Sequence, residues 1–193
     1  MPAAPKTSDA AIVEAARKLV ERHGHGGFSM SDVARAVGVR APSLYGRFAD
    51  RAALLTAVEI ETWRALERAV ARVPPSANPI ETLAAQARAY RSFAKAHPNA
   101  YALIHDANAE RTEAGQQARL AALSPTLPAF TALAGESGAL NAARTLVPFL
   151  HGFVSMELAG AFRLGGGLNE AFENGVATIL AGLSSNHNPR RRG

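Results

Sequence analysis

A phenol and a guanidinium group lie two residues apart at Tyr45 and Arg47. Both side chains donate hydrogen bonds that phosphate oxygens accept, and the arginine adds a positive charge. Tyr45 and Arg47 lie in the stretch APSLYGRF, residues 41–48, in which several other side chains are small. This combination offers contacts to a sugar-phosphate backbone beside a flat helix surface, which favours the binding of duplex DNA.

The first element needed to position these groups is a short helix before them. Ser29 precedes MSDVARAV with Asp32 three residues further on, which is close to a capping box. Gly38 stops this helix, because glycine tolerates the backbone conformation that a tight helix end requires. The sequence therefore predicts a helix that begins just after Ser29 and a short turn at Gly38.

The second element is a helix that starts near Pro42, a residue that suits a first helical turn. Leu44 and Phe48 are four residues apart and share one side of it, whereas Ser43 and Gly46 face the other way. Two short helices joined by a tight turn have the spacing of a helix-turn-helix, whose second helix enters the DNA major groove. We expect Leu44 and Phe48 to be anchored inside.

The run SMSDVARAVGVRAPSLYGRFADRAALL, residues 29–55, closely resembles the DNA-binding signature of the tetracycline repressor (TetR) family of bacterial regulators. The resemblance implies an all-α fold with a three-helix helix-turn-helix head, a connecting helix and a ligand-binding and dimerisation domain of about six helices. FLHGFVSMELAGAF, residues 149–162, resembles the subgroup whose carboxy-terminal domain carries a Trp-His-Gly sequence, with Phe149 and Leu150 where that Trp is expected.

The resemblance also implies roles for individual residues at the DNA. Contacts to phosphate are implied for Ser29, Tyr45, Arg47 and Arg51, and contacts to bases for Ser31, Ala41, Pro42 and Ser43. The alternatives without a DNA contact are a partly buried aromatic side chain for Tyr45 and ordinary solvated charges for Arg47 and Arg51.

Arg40 departs from the family pattern, which often has a capping serine there. Losing the cap costs about 1 kcal/mol, whereas a guanidinium that chelates a guanine edge gives about 1–3 kcal/mol of discrimination. We therefore expect Arg40 to contribute to sequence readout.

Helical periodicity dominates the whole chain, and no convincing alternating strand pattern is present. A first helix is expected from Ser8 to the glycines at 24–27, and a fourth from Asp50 to Pro74. Further helices are expected at about 79–96, 98–107, 112–123, 126–134, 139–164 and 168–183, with a kink at Pro148 and a flexible turn at 164–168. The expected domains are a DNA-binding head over 1–52, an effector-binding and dimerisation domain over 53–184, and a disordered basic tail over 185–193.

Aromatic and polarisable side chains in the effector-binding domain are the candidates for an effector pocket. For each of them, burial in the hydrophobic core is the more common alternative. They are Tyr90, Phe93, Tyr101, Phe130, Phe149, His151, Phe153 and Met156. The expected effector is apolar or amphipathic. Dimerisation is expected through the last two long helices, because they carry more apolar positions than the packing of one helix pair requires. These positions are Leu146, Leu150, Leu158, Phe172, Val176, Ile179 and Leu180.

Composition narrows the class of protein further. Residues 1–55 carry eight Lys or Arg against five Asp or Glu, which favours a polyanion-binding head. The chain has no cysteine and no histidine cluster, so neither a metal site nor a cofactor is expected. The missing reactive-residue pattern disfavours an enzyme, and the missing signal segment predicts a soluble cytoplasmic protein. The family resemblance implies a homodimer that represses transcription from a palindromic operator until a small molecule binds. The alternatives are a helical DNA-binding protein without an effector and an enzyme.

Overall fold

The computed structural model describes residues 7–106 and 112–186. Within those two ranges the regular secondary structure is entirely helical, as the sequence predicts. The helices are α1 (Asp9–His23), α2 (Met30–Ala36), α3 (Pro42–Tyr45), α4 (Arg51–Ala71), α5 (Pro79–Ala96), α6 (Pro98–Ile104), α7 (Glu113–Ala121), α8 (Leu127–Leu158) and α9 (Leu168–Asn186), with a 3-10 turn at Ser124–Thr126 before α8. In the same part of the chain, no helix is both long and apolar enough to cross a membrane.

The predicted helix starts are formed by the expected caps. The Ser8 hydroxyl oxygen accepts a hydrogen bond from the Ala11 amide at the start of α1, at 3.2 Å. The Asp50 carboxylate accepts one from the Ala53 amide at the start of α4, at 2.8 Å. Both caps satisfy amides that have no partner within the helix.

Contacts between residues divide the chain into two compact units. Unit 1 comprises Met1–Ala65 and His97–Ala121, and unit 2 comprises Leu66–Ala96 and Ala122–Gly193. In unit 1, α1 packs against α2 and α6. The buried apolar side chains of its core include Ile12, Val20, Phe28, Val33, Leu44, Phe48, Leu54, Val58 and Leu103.

In unit 2, α5 packs against α8 and α9, and a buried ion pair joins α5 to α8. The Arg91 guanidinium donates to both carboxylate oxygens of Glu157, at 2.7 and 2.8 Å, and Lys95 donates to the same carboxylate at 2.7 Å. Arg91 also stacks over the Phe172 ring, 4.7 Å from its centroid. The hydrogen bonds from Arg91, followed by those from Lys95, hold the pKa of Glu157 below its ordinary value.

Helix α8 departs from the sequence-based prediction in one respect. The predicted break near residue 135 is present, because Gly135 interrupts α8 with φ +72°. The helix then ends at Leu158 rather than near 164. Gly160 takes φ +63°, and the Gly160 and Ala161 amides donate to the carbonyls of Glu157 and Met156. This pattern is a Schellman motif, which stops a helix although the following residues are apolar. The kink expected at Pro148, which lies inside α8, stays a prediction.

The positions expected to form a dimer interface are mostly internal, so that prediction is wrong for five of the seven. Leu146, Leu150, Phe172, Val176 and Leu180 are 5 % exposed or less and belong to the core of unit 2. The outward face of α8 carries Pro148, Gly152 and Met156 instead, and that of α9 carries Asn174, Ala177 and Ala181. The sequence pattern revealed which faces are apolar, but a helix face buried within the subunit has the same pattern.

Candidate nucleic-acid interface

The start of α2 is fixed by the predicted capping box. The Ser29 hydroxyl oxygen accepts from the Asp32 amide at 3.2 Å, and the Asp32 carboxylate accepts from the Ser29 amide at 2.9 Å. The Ser29 hydroxyl also donates to that carboxylate at 2.6 Å. The hydrogen bond from the Ser29 hydroxyl, followed by the one from the Ser29 amide, lowers the pKa of Asp32 below its ordinary value. Ser29 and the neighbouring Ser31 are both exposed at this helix end.

The turn between α2 and α3 is another Schellman motif, centred on Gly38. The Val39 amide donates to the Ala34 carbonyl at 3.0 Å, and the Gly38 amide donates to the Arg35 carbonyl at 3.3 Å. Gly38 has φ +72°, a conformation that residues with a Cβ rarely adopt. The tight turn that the sequence predicts at this glycine is therefore confirmed.

Helix α3 presents one buried side and one exposed side. Leu44 is 0 % exposed and Phe48 is 9 % exposed, so both are anchored in the core as predicted. Pro42, Ser43 and Gly46 are exposed on the other side. A Cβ added at Gly46 would approach nothing closer than the Ser43 carbonyl oxygen at 4.0 Å, so the small residue there is not required by packing. The exposed side of α3 is therefore flat and accessible, so that it can lie close to the base edges in a DNA groove.

Two larger side chains border this open side. Tyr45 is 53 % exposed, and Arg40 is exposed at the turn that precedes α3. Within the described residues, neither the Tyr45 hydroxyl nor the Arg40 guanidinium has a hydrogen-bond partner. Ala41, half-buried, serves as the N-cap of α3, and no side chain caps that helix, as expected with arginine in place of serine at residue 40.

Arg47 is directed toward the beginning of the chain. Its guanidinium donates to the Thr7 carbonyl oxygen and pairs with the Asp9 carboxylate at 2.8 Å. The Thr7 hydroxyl in turn donates to the Val37 carbonyl at 3.4 Å. Arg47 thereby ties the residues before α1 to the end of α3, and its predicted contact with phosphate stays a prediction.

Arg51, the first residue of α4, holds the turn between α1 and α2. Its Nε donates to the Phe28 carbonyl at 3.0 Å, and its terminal nitrogen donates to the His25 carbonyl. The guanidinium also lies 4.7 Å from the centroid of the Phe28 ring. No sequence pattern signals this role, because the acceptors are main-chain carbonyls. The predicted phosphate contact of Arg51 also stays a prediction.

The eight effector-pocket candidates are distributed over both units. Tyr90, Phe93 and Phe130 are buried in unit 2, and Tyr101 is buried in unit 1, where its ring lies 4.6 Å from that of His105. All four side chains contribute to core packing, and their predicted contact with a ligand remains a prediction.

The last four candidates lie along α8. Phe149 and Phe153 have ring centroids 5.9 Å apart, and both rings contact Phe172 of α9. His151 Nδ1 lies 3.4 Å from the Ser155 hydroxyl, and Met156 is 49 % exposed. The structure thus brings Phe149 and Phe153 together but directs Met156 to the surface.

Two models of known protein families match the amino-acid sequence of this chain. Residues 12–58 match the family model described as "Bacterial regulatory proteins, tetR family", and residues 83–179 match that described as "Tetracyclin repressor-like, C-terminal domain". Together the two matched segments include α2, α3 and most of α5 to α9.

Individual relatives agree with the family models. The chain is 27% identical over 180 residues to YobS of Bacillus subtilis, an uncharacterized helix-turn-helix-type transcriptional regulator, covering 91% of this chain and 92% of the relative. A TetR variant from Acinetobacter baumannii, solved with minocycline, is 20% identical with a TM-score of 0.68, covering 95% and 99% of the two chains. BioQ, solved with its double-stranded DNA operator, is 22% identical with a TM-score of 0.67, covering 92% and 98%. At these identities the two structures establish a shared fold.

Proposed function

The chain belongs to the TetR family of bacterial regulatory proteins, and we propose that it is a homodimeric repressor that a small molecule releases from a palindromic operator. As a member of this family it is a DNA-binding transcriptional regulator and not an enzyme. We assign DNA binding to residues 1–52 and effector binding and dimerisation to 53–184. Residues 185 and 186 of the expected disordered basic tail belong to α9, and its remaining residues, 187–193, lie outside the described residues. A regulator of this kind acts at the chromosome, which favours the cytoplasm.

The observation that carries this proposal is the open side of α3. Leu44 and Phe48 hold the helix from within, while Ser43 and Gly46 leave its outer surface low enough for a close approach to base edges. Such a surface supplies few hydrogen-bond donors of its own. Sequence readout therefore depends strongly on the side chains at its border, above all on Arg40.

Footprinting on the DNA upstream of the protein's own gene tests the proposal, followed by fluorescence anisotropy with the protected sequence and with random duplex. We expect Arg40→Ala to weaken binding to the protected sequence by about 1–3 kcal/mol and to leave binding to random duplex much less affected. Equal losses on both duplexes would make Arg40 a phosphate contact only. An absence of any protected sequence would contradict the proposed function itself.

Dimerisation is proposed through the outward faces of α8 and α9. Gly152 on α8 and Ala177 and Ala181 on α9 are small and exposed, and small side chains let helices of two subunits approach closely. A symmetric dimer places two copies of α3 in successive major grooves, about 34–36 Å apart. This geometry accounts for a palindromic operator.

A further inference from the structure

An open cleft lies within unit 2, beside the end of α4, the start of α5 and the beginning of α8. Its volume is about 620 Å³, within the range of sites for small organic molecules. Much of its wall is formed by proline and other apolar side chains: Pro75, Pro79, Pro125, Pro128, Ala71, Val73, Ala129 and Ala132. Such a wall suits the hydrocarbon or aromatic part of a ligand.

Gln86 contributes a polar group to the same cleft and is 6 % exposed. Its Nε2 donates to the Pro125 carbonyl oxygen at 2.9 Å. A carbonyl oxygen only accepts hydrogen bonds, so this contact fixes which way the amide points. Gln86 Oε1 is consequently a buried acceptor, and no described residue donates to it. A buried acceptor without a donor is unfavourable, and a ligand that supplies the donor removes that cost.

The remaining polar side chains of the cleft are one carboxylate, Glu67, and the hydroxyls of Ser76, Thr82 and Ser124, each of which can accept a hydrogen bond. The Thr82 hydroxyl oxygen already accepts from the Ser76 amide at 2.8 Å. The half-buried Glu67 lines the cleft as well, and no described cation pairs with its carboxylate. No Lys or Arg is among the lining residues. The cleft therefore favours hydrogen-bond donors and cations and disfavours anions.

We propose that this cleft binds a small amphipathic molecule that carries an amine or another hydrogen-bond donor. The apolar part of the ligand lies against the proline wall, and its donor pairs with Gln86 Oε1 and is attracted by Glu67. Since Oε1 is shielded from water in the absence of a ligand, a side-chain shift of Gln86 or its neighbours accompanies binding. None of the eight aromatic, histidine and methionine candidates lines the cleft. Only the identification of this ligand as the effector rests on the proposed function.

Four naphthalene probes of nearly equal size test the proposal by calorimetry on the full chain at neutral pH. They are 1-naphthylmethylamine, 1-naphthalenemethanol, 1-methylnaphthalene and 1-naphthoic acid, which offer a cation, a neutral donor, no polar group and an anion. We expect affinity to fall in that order. Equal affinities, or tightest binding of the acid, would overturn the proposal.

Substitutions then locate the binding. Gln86→Met removes the acceptor at similar length, and we expect about tenfold weaker binding of the amine and the alcohol with little change for the hydrocarbon. Glu67→Gln removes the negative charge of the carboxylate, so we expect it to weaken binding of the amine and to leave the affinities of the uncharged probes unchanged. The matched control is Gln116→Met on the exposed side of α7, which leaves all four affinities unchanged. Thermal melting confirms that each variant is folded. An unaltered ratio of the amine affinity to the hydrocarbon affinity in both Gln86→Met and Glu67→Gln overturns the proposal.

Release from DNA is measured separately, by anisotropy with the protected duplex. Probes that bind in the expected order support the cleft as a ligand site, whether or not they release DNA. If they bind without altering operator affinity, the induction part of the proposed function fails. If no probe binds while operator binding persists, the cleft proposal fails and the DNA-binding regulator remains.

Discussion

Tyr45 and Arg47 are two residues apart, yet their polar groups have different surroundings. The Tyr45 hydroxyl is exposed beside the open side of α3, whereas the Arg47 guanidinium is bound to Thr7 and Asp9. The sequence predicts a phosphate contact for both, because a pattern contains only side-chain types and their spacing. Arg51 shows the same limit, since its partners are the main-chain carbonyls of Phe28 and His25. The burial of Leu44 and the helix caps at Ser8, Ser29 and Asp50 agree with the sequence-based predictions, because these features depend on residue spacing along a short stretch of the chain.

Gly46→Ala separates folding from DNA binding at a single position. Gly46 has φ −72° and space for a methyl group, so alanine should stabilise the fold by about 0.4–1 kcal/mol. The methyl group also raises the surface that faces the groove, so operator affinity should fall. Thermal melting and anisotropy measure the two effects.

The matched control is Gly38→Ala in the preceding turn. Gly38 has φ +72°, so alanine there should destabilise the head by about 1–2 kcal/mol. Unchanged operator affinity in a folded Gly46→Ala protein would argue against a DNA contact by this side of α3.

Arg51→Lys tests whether Arg51 holds the turn between α1 and α2. Lysine keeps the charge but cannot reach two carbonyls in the fixed geometry of a guanidinium. We expect Arg51→Lys and Arg51→Ala both to lower the free energy of unfolding, by about 1–3 kcal/mol. Chemical denaturation measures the loss, and a lysine variant as stable as the parent would contradict this role. Flattening of the salt dependence of DNA binding by about 0.9 in Arg51→Ala would indicate a phosphate contact in addition.

Among the helices, α8 shows where sequence patterns stop being informative. Its apolar positions continue past Leu158 through Ala159, Ala161 and Phe162, so periodicity alone predicts a longer helix. The end is set by the positive φ of Gly160 and by two main-chain hydrogen bonds. A glycine within an apolar run is compatible with either outcome. Helix starts, by contrast, carry a side-chain signal in their caps.

The ion pair that joins α5 to α8 gives unit 2 a pH-dependent stability. The pKa of Glu157 is lowered in the folded protein by Arg91 and Lys95, so the unfolded chain binds the proton more tightly. The stabilising contribution is therefore present above the unfolded pKa of about 4.3 and is lost as the pH falls through the lower folded pKa. Urea unfolding between neutral pH and about pH 3 should show this decline.

Glu157→Gln should remove that part of the pH dependence and lower stability at neutral pH by about 3–5 kcal/mol, because Arg91 is left buried without its partner. Glu173→Gln provides the comparison, since the Arg88–Glu173 pair is exposed on both sides and should contribute less than about 1 kcal/mol. Similar losses in the two variants would contradict the importance of burial for this network.

For the whole molecule, the fold class follows from the sequence more readily than the surfaces do. The all-α organisation depends on helical periodicity and on one strong motif, both of which are local. The cleft of unit 2 depends on Gln86, Glu67 and four prolines from separate elements, and no local pattern joins them. Five of the seven expected dimer positions were wrong for a related reason, because residues such as Leu146 and Phe172 are buried by neighbours within their own subunit.

A charge placed on the proposed dimer face tests the assembly. Ala177→Glu on α9 should convert the dimer into monomers at micromolar concentration and weaken operator binding, because two half-sites are no longer bound together. Ala114→Glu on the exposed face of α7 is the matched control and should leave both properties unchanged. Sedimentation velocity measures the assembly, and a parent protein that sediments as a monomer would contradict it.

The bond from Arg47 to Thr7 also bears on how the protein is handled in the laboratory. The six residues before Thr7 span at most about 22 Å when fully extended, so an affinity tag fused before Met1 begins within that distance of Thr7, whose carbonyl oxygen accepts a hydrogen bond from Arg47 just after α3. Bulk or charge added there would compete with a duplex or attract it. A purification handle that is removed by protease before any binding assay avoids an artefact that would resemble altered regulation.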